Sequence, residues 1–329
     1  LDGEQTLRVG DWPFLVLDKT EAGDVLGLIP PWSPERTPPL ADLSYRTRFT
    51  AYVSELNQII QHDPHSVILG ARFQTGNIET RDRWSGLDRG NLSSSPVDSG
   101  ELDEDFRRAT LYGYYHWQAL SNLVLVSGVA YEHLSFPDNF RDPPVSPGRT
   151  SRDRVLPKAG VVWSPQTNVT LRGAYAQALG GVAFDQSYRL EPGQIAGFSQ
   201  SFRSIIPESV TGSLAGADFE SFGLAADTKL ATRTYIGASM ERLSSGAEKR
   251  TGVFDSFFTQ PDVVRSSTVE ELGYEERSAG AYVNQLLGDE FAIGLGYRFT
   301  RSELERSRPL IPVEPGSESH QNLAADRHQ

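Results

Sequence analysis

The stretch Leu156–Tyr175 reads LPKAGVVWSPQTNVTLRGAY and contains two segments that alternate in polarity, separated by Ser164–Asn168. In the second segment, Val169 and Leu171 are separated by a polar residue, and the alternation continues to the end of the stretch. Because successive side chains of a strand point to opposite faces, this pattern predicts a strand, a tight turn and a second strand. A five-residue connection joins the two as an antiparallel hairpin.

Connections of this short kind alternate with long ones along the chain. The short connections lie at 118–122, 164–168, 227–232 and 286–289. The long ones are polar loops at 76–105, 135–153, 178–216 and 243–275. Short turns at one end of a sheet and long loops at the other are typical of an outer-membrane β-barrel.

The period-two alternation predicts the number of strands. It occurs at 67–73, 109–117, 169–175 and 291–299, more weakly at 45–56, 123–133, 155–163, 218–226, 233–242 and 276–285, with a possible hairpin at 4–18. We therefore predict an all-β antiparallel meander, forming a partial transmembrane barrel of about twelve strands with short periplasmic turns and long outer loops. A soluble β-sandwich is the alternative, since periodicity alone does not tell whether the apolar face meets lipid or a core.

Aromatic residues near strand ends favour the barrel over the sandwich. Trp117, Tyr131, Trp163 and Tyr175 lie near strand ends, where the aromatic girdles of membrane barrels are found. The face with apolar side chains is predicted to point outward, with members Val67, Leu69, Phe73, Leu111, Tyr115, Leu171, Ile293 and Leu295. The opposite face is predicted to line the lumen, with members Arg72, Gln74, Thr110, Tyr112, Arg172 and Arg298.

Composition excludes several classes of protein. The net charge of −12 argues against nucleic acid as a partner, because phosphate binding needs a basic face. The absence of cysteine excludes disulfides and thiolate chemistry. The chain has no run of about 18 apolar residues, so it predicts no transmembrane helix. It opens with Leu1 and no signal peptide, which we interpret as a segment of a longer, processed protein.

The hairpin at 156–175 also resembles a known family. Leu156-Pro157-Lys158-Ala159-Gly160, the short turn and Val169-Thr170-Leu171-Arg172-Gly173 are similar to the Pro-basic-Ala-Gly strand, turn and following strand of TonB-dependent receptor barrels. Leu125–Glu132 resembles the strand before them. Arg189-Leu190-Glu191-Pro192 resembles the Leu-x-Pro-Glu loop motif with Glu and Pro exchanged. The likeness is best over 105–243.

The resemblance implies a barrel of about 22 strands, roughly twice the number predicted here. We therefore interpret 1–329 as a single, incomplete barrel region without plug, signal peptide or terminal strands. The loop at 184–209 also resembles that of a bacterial subfamily in which helical repeats precede the barrel. The resemblance implies a location in the bacterial outer membrane and contact with its lipid. It also implies coupling to a TonB-type partner through segments absent here.

Catalytic and metal-binding signals are weak. His62 and His65 are three positions apart but are more simply a polar turn. The acidic stretch 98–105 does not have EF-hand spacing and is interpreted as a solvated loop. No nucleophile or phosphate-loop motif occurs. The sequence thus predicts a protein that is not an enzyme, with no catalytic residues, cofactor or metal.

The loop at 178–216 is the predicted recognition element, since it mixes aromatic with hydrogen-bonding residues. The possible ligand contacts are Phe184, Asp185, Gln186, Tyr188, Arg189, Phe198, Phe202 and Arg203. The same aromatics would also suit a loop that folds on itself or plugs the lumen. The predicted function is uptake of a small molecule or oligosaccharide; the alternatives are a structural, export-associated or adhesin-type barrel, or a soluble carbohydrate-binding β-protein.

Overall fold

The computed structural model describes eight ranges of the chain. They are 2–28, 40–85, 97–181, 189–200, 215–257, 263–288, 290–311 and 320–329. These residues form sixteen strands and no helix, and so include no helix that is long and apolar enough to span a membrane. The predicted all-β fold is confirmed.

Twelve strands form one continuous meander, the number predicted. They are β1 (Asp2–Pro13), β4 (Leu40–His62), β5 (His65–Ser85), β6 (Val97–Leu120), β7 (Leu123–Asn139), β8 (Ser146–Gln166), β9 (Val169–Leu179), β12 (Asp218–Lys229), β13 (Thr234–Phe257), β14 (Val264–Leu287), β15 (Phe291–Ser307) and β16 (His320–His328). The four short strands are β2 (Val16–Lys19), β3 (Val25–Leu28), β10 (Gln194–Ile195) and β11 (Phe198–Ser199).

Neighbours in the meander pair antiparallel and in chain order, as predicted. The exception is β2, which pairs in parallel with the end of β13, Val16 opposite Phe254. Within the described ranges the sheet is open, since β1 pairs only with β4 and β16 only with β15. The hairpin predicted at 4–18 is wrong: β1 runs through Gly10 and Asp11 as one strand along β4, with a register shift there.

The strands are much longer than a bilayer requires. β13 and β14 have 24 residues each, which at about 3.3 Å per residue is roughly 80 Å, against a hydrocarbon core of about 30 Å. The loops predicted at 76–105, 135–153 and 243–275 are therefore wrong in large part, because strands occupy most of those ranges. The short turns, such as those at 63–64 and 121–122, all lie at one end of the sheet, here called the turn end. The opposite end is the loop end.

In the half of the sheet nearer the turn end, apolar side chains point outward. On β5, Leu69 and Phe73 are 50% and 52% exposed. Their neighbours Arg72 and Gln74 point inward and are buried. A polar interior with an apolar exterior suits a wall that has lipid on its outer side. This is the arrangement that the sequence alternation predicts.

In the half nearer the loop end, the same strand has the opposite polarity. Ile78 and Trp84 point inward and are buried, whereas Glu79 and Arg81 are exposed on the outer face. β4 changes in the same way, from inward Glu55 near the turn end to buried Phe49 higher up. The alternation therefore continues into the strand extensions with its phase reversed. This reversal is the physical reason that the long loops were predicted wrongly.

The inner faces of these extensions pack into an apolar core at the loop end. Trp84 makes edge-to-face contacts with Phe14 and Phe254, at centroid distances of 5.8 and 5.7 Å. The indole Nε1 donates to Asp82 at 2.7 Å, and Asp82 also pairs with Arg265 of β14 at 2.9 Å. Contacts between β5 and the β13–β14 region require the sheet to curl, so its two halves face each other across an interior.

Candidate functional site

The described part of the connection between β9 and β12, residues 189–200, lies inside the curled sheet. Its strands β10 and β11 form a tight hairpin whose turn holds Ala196 and Gly197 at φ of 48° and 87°. Ile195 and Phe198 flank this turn and are 3% and 9% exposed. The hairpin is therefore anchored to the wall by two apolar side chains.

A buried ion pair fixes the start of this inward segment. The Lys158 ammonium on β8 donates to Glu191 Oε1 at 2.6 Å, and the two side chains are 3% and 4% exposed. The Tyr114 hydroxyl on β6 lies 2.5 Å from the same oxygen and accepts from Lys158 at 2.8 Å. Since a buried charge without a partner is costly, the segment and the wall each need the other.

Glu55 of β4 holds the adjacent backbone. Its carboxylate accepts from the backbone N–H of Leu190 at 2.9 Å and of Glu191 at 3.2 Å. The Tyr112 hydroxyl donates to Glu55 at 2.9 Å, and the Asn57 amide donates to the Leu190 carbonyl at 3.2 Å. Three strands of the wall thus bind one short turn of the connection.

Two glycines on the inner face make room for the hairpin. A Cβ at Gly160 would lie 2.5 Å from the Ile195 side chain, and one at Gly223 would lie 2.3 Å from the Phe198 ring. Both distances are shorter than van der Waals contact allows, so any other residue would push the hairpin off the wall. The Arg172 guanidinium also lies over the Phe198 ring, 5.9 Å from its centroid.

A second polar network lies on the inner face of β9, β12 and β14. Arg172 donates to Asp227 Oδ2 at 2.8 Å, and the Tyr282 hydroxyl donates to Oδ1 of the same carboxylate at 2.8 Å. On β13 and β15, Arg298 donates to Glu241 at 2.9 Å. These pairs link neighbouring and alternate strands across the inner face.

The other predicted lumen residues also lie on the inner face. Arg72, Gln74, Thr110 and Tyr112 are all buried. Beside them Arg108, which was not predicted, donates from Nε and Nη2 to Oε2 of Glu132 and from Nη2 to the Leu179 carbonyl at 3.1 Å. The inner face is therefore polar at the height where the outer face is apolar, and Arg108 is paired within it.

Two of the predicted ligand contacts can be placed. Arg189 Nη1 lies 3.9 Å from Glu191 Oε2, and the Arg189 side chain is 18% exposed. Phe198 contacts both Gly223 and Arg172. The remaining six, Phe184, Asp185, Gln186, Tyr188, Phe202 and Arg203, lie outside the described residues.

Sequence reasoning did not assign a role to Lys158, Glu191, Tyr114 or Glu55. Lys158 and Glu191 both lie in stretches singled out by their resemblance to a family, the first in Pro-Lys-Ala-Gly and the second in Leu-Glu-Pro. Two charged residues in otherwise apolar or turn-forming motifs are a signal that they have buried partners. The sequence therefore indicates that these residues have partners, but it does not identify the partners.

A separate charged cluster lies at the loop end, far above the inward segment. Glu270 of β14 accepts from Thr251 at 2.7 Å and lies 3.5 Å from Lys249 Nζ and 2.6 Å from Arg306 Nε. Burial by itself disfavours the carboxylate, but Lys249, Arg308 and the other partners favour it and hold the pKa of Glu270 below its ordinary value. The cluster ties β13, β14 and β15 together where they extend furthest.

Among the described residues, no three His, Asp or Glu side chains are grouped in a way that could hold a metal ion. His62 and His65 flank the turn between β4 and β5, and His65 pairs with the Tyr115 hydroxyl at 2.7 Å. The polar groups of the interior are arranged as ion pairs and hydrogen bonds between wall and segment, and they are suited to hold a chain in place and to present a hydrated lumen.

Several solved structures match the chain over most of its length at low sequence identity. The FpvAI–pyocin S2 complex matches with 12% identity and a TM-score of 0.46, over 92% of this chain and 40% of that one. The copper transporter OprC matches with 11% identity and a TM-score of 0.44, over 85% and 41%. P. aeruginosa FpvA bound to heterologous pyoverdines matches with 10% identity and a TM-score of 0.41, over 98% and 44%. The chain thus spans about two fifths of the length of these structures.

No curated protein sequence matches the chain. A family model does match, the one described as TonB dependent receptor-like, beta-barrel, and it covers residues 26–203. That range is more than half of the 329 residues and includes β4 to β9 together with the inward segment up to β11. It also contains the hairpin and the loop motif whose residues resemble this family. The chain therefore belongs to the TonB-dependent receptor β-barrel family.

Proposed function

We propose that the chain forms part of the barrel wall of a receptor in the outer membrane of a Gram-negative bacterium, which takes up a ligand across that membrane. Family membership supports this function, as do the apolar exterior and polar interior of the turn half. By the same argument we propose that uptake draws energy from a TonB-type partner and that the protein is not an enzyme. The ligand is a small molecule or an oligosaccharide.

The observation that carries the proposal is the inward course of residues 189–200. This segment belongs to an outer connection, yet the buried pair of Lys158 and Glu191 holds it against the lumenal wall at 2.6 Å. A connection bound in this way narrows the lumen beneath the outer mouth. Any ligand that enters along the barrel must pass it.

We further propose that this connection contributes to recognition. The part packed on the wall, including Phe198, anchors the segment, while the Arg189 side chain is 18% exposed. The proposed ligand contacts are Phe184, Asp185, Gln186, Tyr188, Arg189, Phe198, Phe202 and Arg203. Their mix of aromatic and hydrogen-bonding groups supplies both contact area and orientation.

The test is made in the full-length receptor in its own host. Growth of a strain lacking the whole receptor, under separate iron, copper and carbon limitation, first identifies the nutrient that the receptor supplies. A variant lacking 184–203 is then expected to fail to support growth on that nutrient while still assembling as a heat-resistant barrel in the outer membrane. Normal assembly with normal growth would remove the recognition role. No growth defect of the complete deletion under any limitation would favour a structural or adhesin-type barrel.

A further inference from the structure

The outer face of β13, β14 and β15 carries a row of arginines. Arg242 lies directly opposite Arg277, and Arg277 directly opposite Arg301. Their side chains are 61%, 71% and 56% exposed. Like charges directly opposite each other on a sheet repel and are destabilising. A row of three therefore needs negative charge beside it to offset the repulsion.

The row lies at the upper boundary of the apolar band. Arg277 is ten positions from Leu287 and Arg301 is ten positions from Phe291, the ends of their strands at the turn end. At about 3.3 Å per residue and a tilt of about 40°, this places them roughly 25 Å above the turns, the height of the apolar band of such barrels. Just below the row lies Met240, 64% exposed and opposite Ala279.

Only some of the N–H groups of these guanidinium groups donate hydrogen bonds within the protein. Glu275 accepts from the Nε of Arg242 at 3.1 Å and from the Nε of Arg277 at 2.5 Å. Glu303 accepts from the Nε of Arg301 at 2.8 Å. Among the described residues, nothing accepts a hydrogen bond from the Nη groups of Arg277 and Arg301.

The charges of this surface are separated by height. Glu275 and Glu303 are each two positions nearer the loop end than the arginine on their own strand, and Asp326 of β16 continues the row beyond Arg301. The arginines thus lie against the apolar band, with carboxylates above and beside them. An anion that approaches from the lipid side meets guanidinium groups first.

A second facing pair of arginines shows the alternative arrangement. Arg46 of β4 lies directly opposite Arg81 of β5. Here each arginine has its own carboxylate, Glu4 at 3.0 Å and Glu101 at 2.6 Å. This pair is neutralised within the protein, whereas Arg242 and Arg277 share one carboxylate.

We propose that the arginine row on β13–β15 binds the phosphate groups of lipid A in the outer leaflet of the membrane. Guanidinium groups bind phosphate oxygens in a bidentate manner, and the head-group phosphates lie at the same boundary between acyl chains and water. Met240 and the apolar residues below the row would contact the acyl chains of the same molecule. The inference rests on the outer-membrane location proposed above, which fractionation of the cells tests separately.

The experiment uses the full-length receptor purified in detergent, with thermal unfolding as the readout. Lipid A carrying two phosphates is added to one sample, lipid A without phosphates to a second, and inorganic phosphate at the same concentration to a third. Bisphosphorylated lipid A is expected to raise the unfolding temperature of the wild type, because a ligand that binds only the folded state stabilises it. The other two additions are expected to leave it unchanged.

The variant R277Q/R301Q is compared with R46Q/R81Q, which removes the same charge from the outer face. The first is expected to weaken the apparent affinity for bisphosphorylated lipid A by about tenfold or more, and the second to leave it within about twofold. R277K/R301K keeps the charge but not the planar fork, and is expected to be intermediate.

Three results would overturn the proposal. One is a wild-type affinity retained in R277Q/R301Q. Another is an equal response to lipid A without phosphates or to inorganic phosphate, which would indicate an apolar contact or an adventitious ion only. The third is full wild-type affinity for bisphosphorylated lipid A in R277K/R301K, which would exclude recognition by the guanidinium fork. This variant provides the test if R277Q/R301Q does not fold.

Discussion

The two halves of the sheet are built from the same strands but with opposite polarity. In the turn half of β5, Leu69 points outward and Arg72 inward; in the loop half of the same strand, Arg81 points outward and Trp84 inward. No break in the strand separates them, since β5 runs from His65 to Ser85. The medium outside must therefore change partway along this strand, and β4 changes in the same way.

This difference shows how one strand is adapted to lipid along one part of its length and to water along the other. Above the band, water is outside, so the hydrophobic effect buries aromatic side chains between the facing halves. Within the apolar band, lipid lies outside the wall, so an apolar side chain gains no free energy of burial by pointing inward. The interior is therefore occupied by paired charges such as Lys158 and Glu191. Matched substitutions in the two halves must therefore have opposite consequences.

The largest effect is expected from removal of the aromatic core of the loop half. Trp84→Ala deletes a fully buried indole that contacts Phe14 and Phe254, and should lower the free energy of unfolding by about 3–5 kcal/mol. Denaturant unfolding of the full-length receptor in detergent micelles measures it. Arg81→Ala on the outer face is the control, expected to cost under about 1 kcal/mol. Equal losses in the two variants would contradict a packed interior at the loop end.

The next effect concerns the paired interior of the turn half. Lys158→Met leaves the carboxylate of Glu191 buried without its cation, which should cost about 3 kcal/mol and release residues 189–200 from the wall. Hydrogen exchange of that segment, followed by mass spectrometry, is the measurement.

The double variant K158M/E191M tests whether the loss comes from the unpaired charge. It removes both charges and should recover much of the protection lost in Lys158→Met, because an apolar pair of similar volume carries no uncompensated charge. Exchange as fast in the double variant as in the single one would mean that the pair holds the segment by more than its charge balance.

A smaller effect is expected when a charge is placed on the outer face at different heights. Leu69→Arg puts a guanidinium group among the outward apolar residues and should cost about 2 kcal/mol in a lipid bilayer. Asn77→Arg, on the same face of β5, places the same group opposite Asp105 and should change stability by less than about 0.5 kcal/mol. Refolding into vesicles with increasing denaturant compares the two. A change of the same size at both positions would place them in the same medium.

The smallest effect is a pH dependence confined to the loop half. The pKa of Glu270 is lower in the folded protein than in the unfolded chain, so the unfolded state takes up the proton first as the pH falls. The stabilisation is therefore present above the ordinary carboxyl range and is lost as the pH drops through the lowered value. The protection factors of the amides at the loop ends of β13–β15, which are corrected for the pH dependence of intrinsic exchange, should fall on acidification. Glu270→Gln should abolish that pH dependence and leave exchange at the turn end unchanged.

The turn half could be predicted from sequence because its signal is local. Residues such as Val169 and Leu171 follow each other at a spacing of two, and the face they share is fixed by strand geometry alone. The loop half escaped prediction because its polar residues, such as Glu79 and Arg81, occupy the positions that are apolar lower on the strand. On β5 the apolar residues move from the outward positions to the inward ones, such as Ile78 and Trp84. A window that spans this change shows no regular alternation and therefore resembles a loop.

The interior contacts were beyond the sequence for a different reason. Lys158 and Glu191 are 33 residues apart and lie on different elements. With 43 acidic residues in the chain, nothing local selects Glu191 as the partner. Only the fold of the connection, set by the glycines at 160 and 223 and by the hairpin between them, brings the carboxylate to the ammonium group.

The reversal of polarity also has a mechanical consequence. If an inward pull, such as energy-coupled transport would exert, displaced the wall toward the cell interior, Arg277 and Arg301 would be drawn into hydrocarbon. Each charge costs about 0–1 kcal/mol near the interface but about 2–4 kcal/mol at the midplane, so the opposing force grows with displacement. A push outward would instead lift residues such as Leu69 and Phe73 into water. The change of polarity along the strands thus fixes the height of the wall in the membrane, and the wall returns to that height when the force ends.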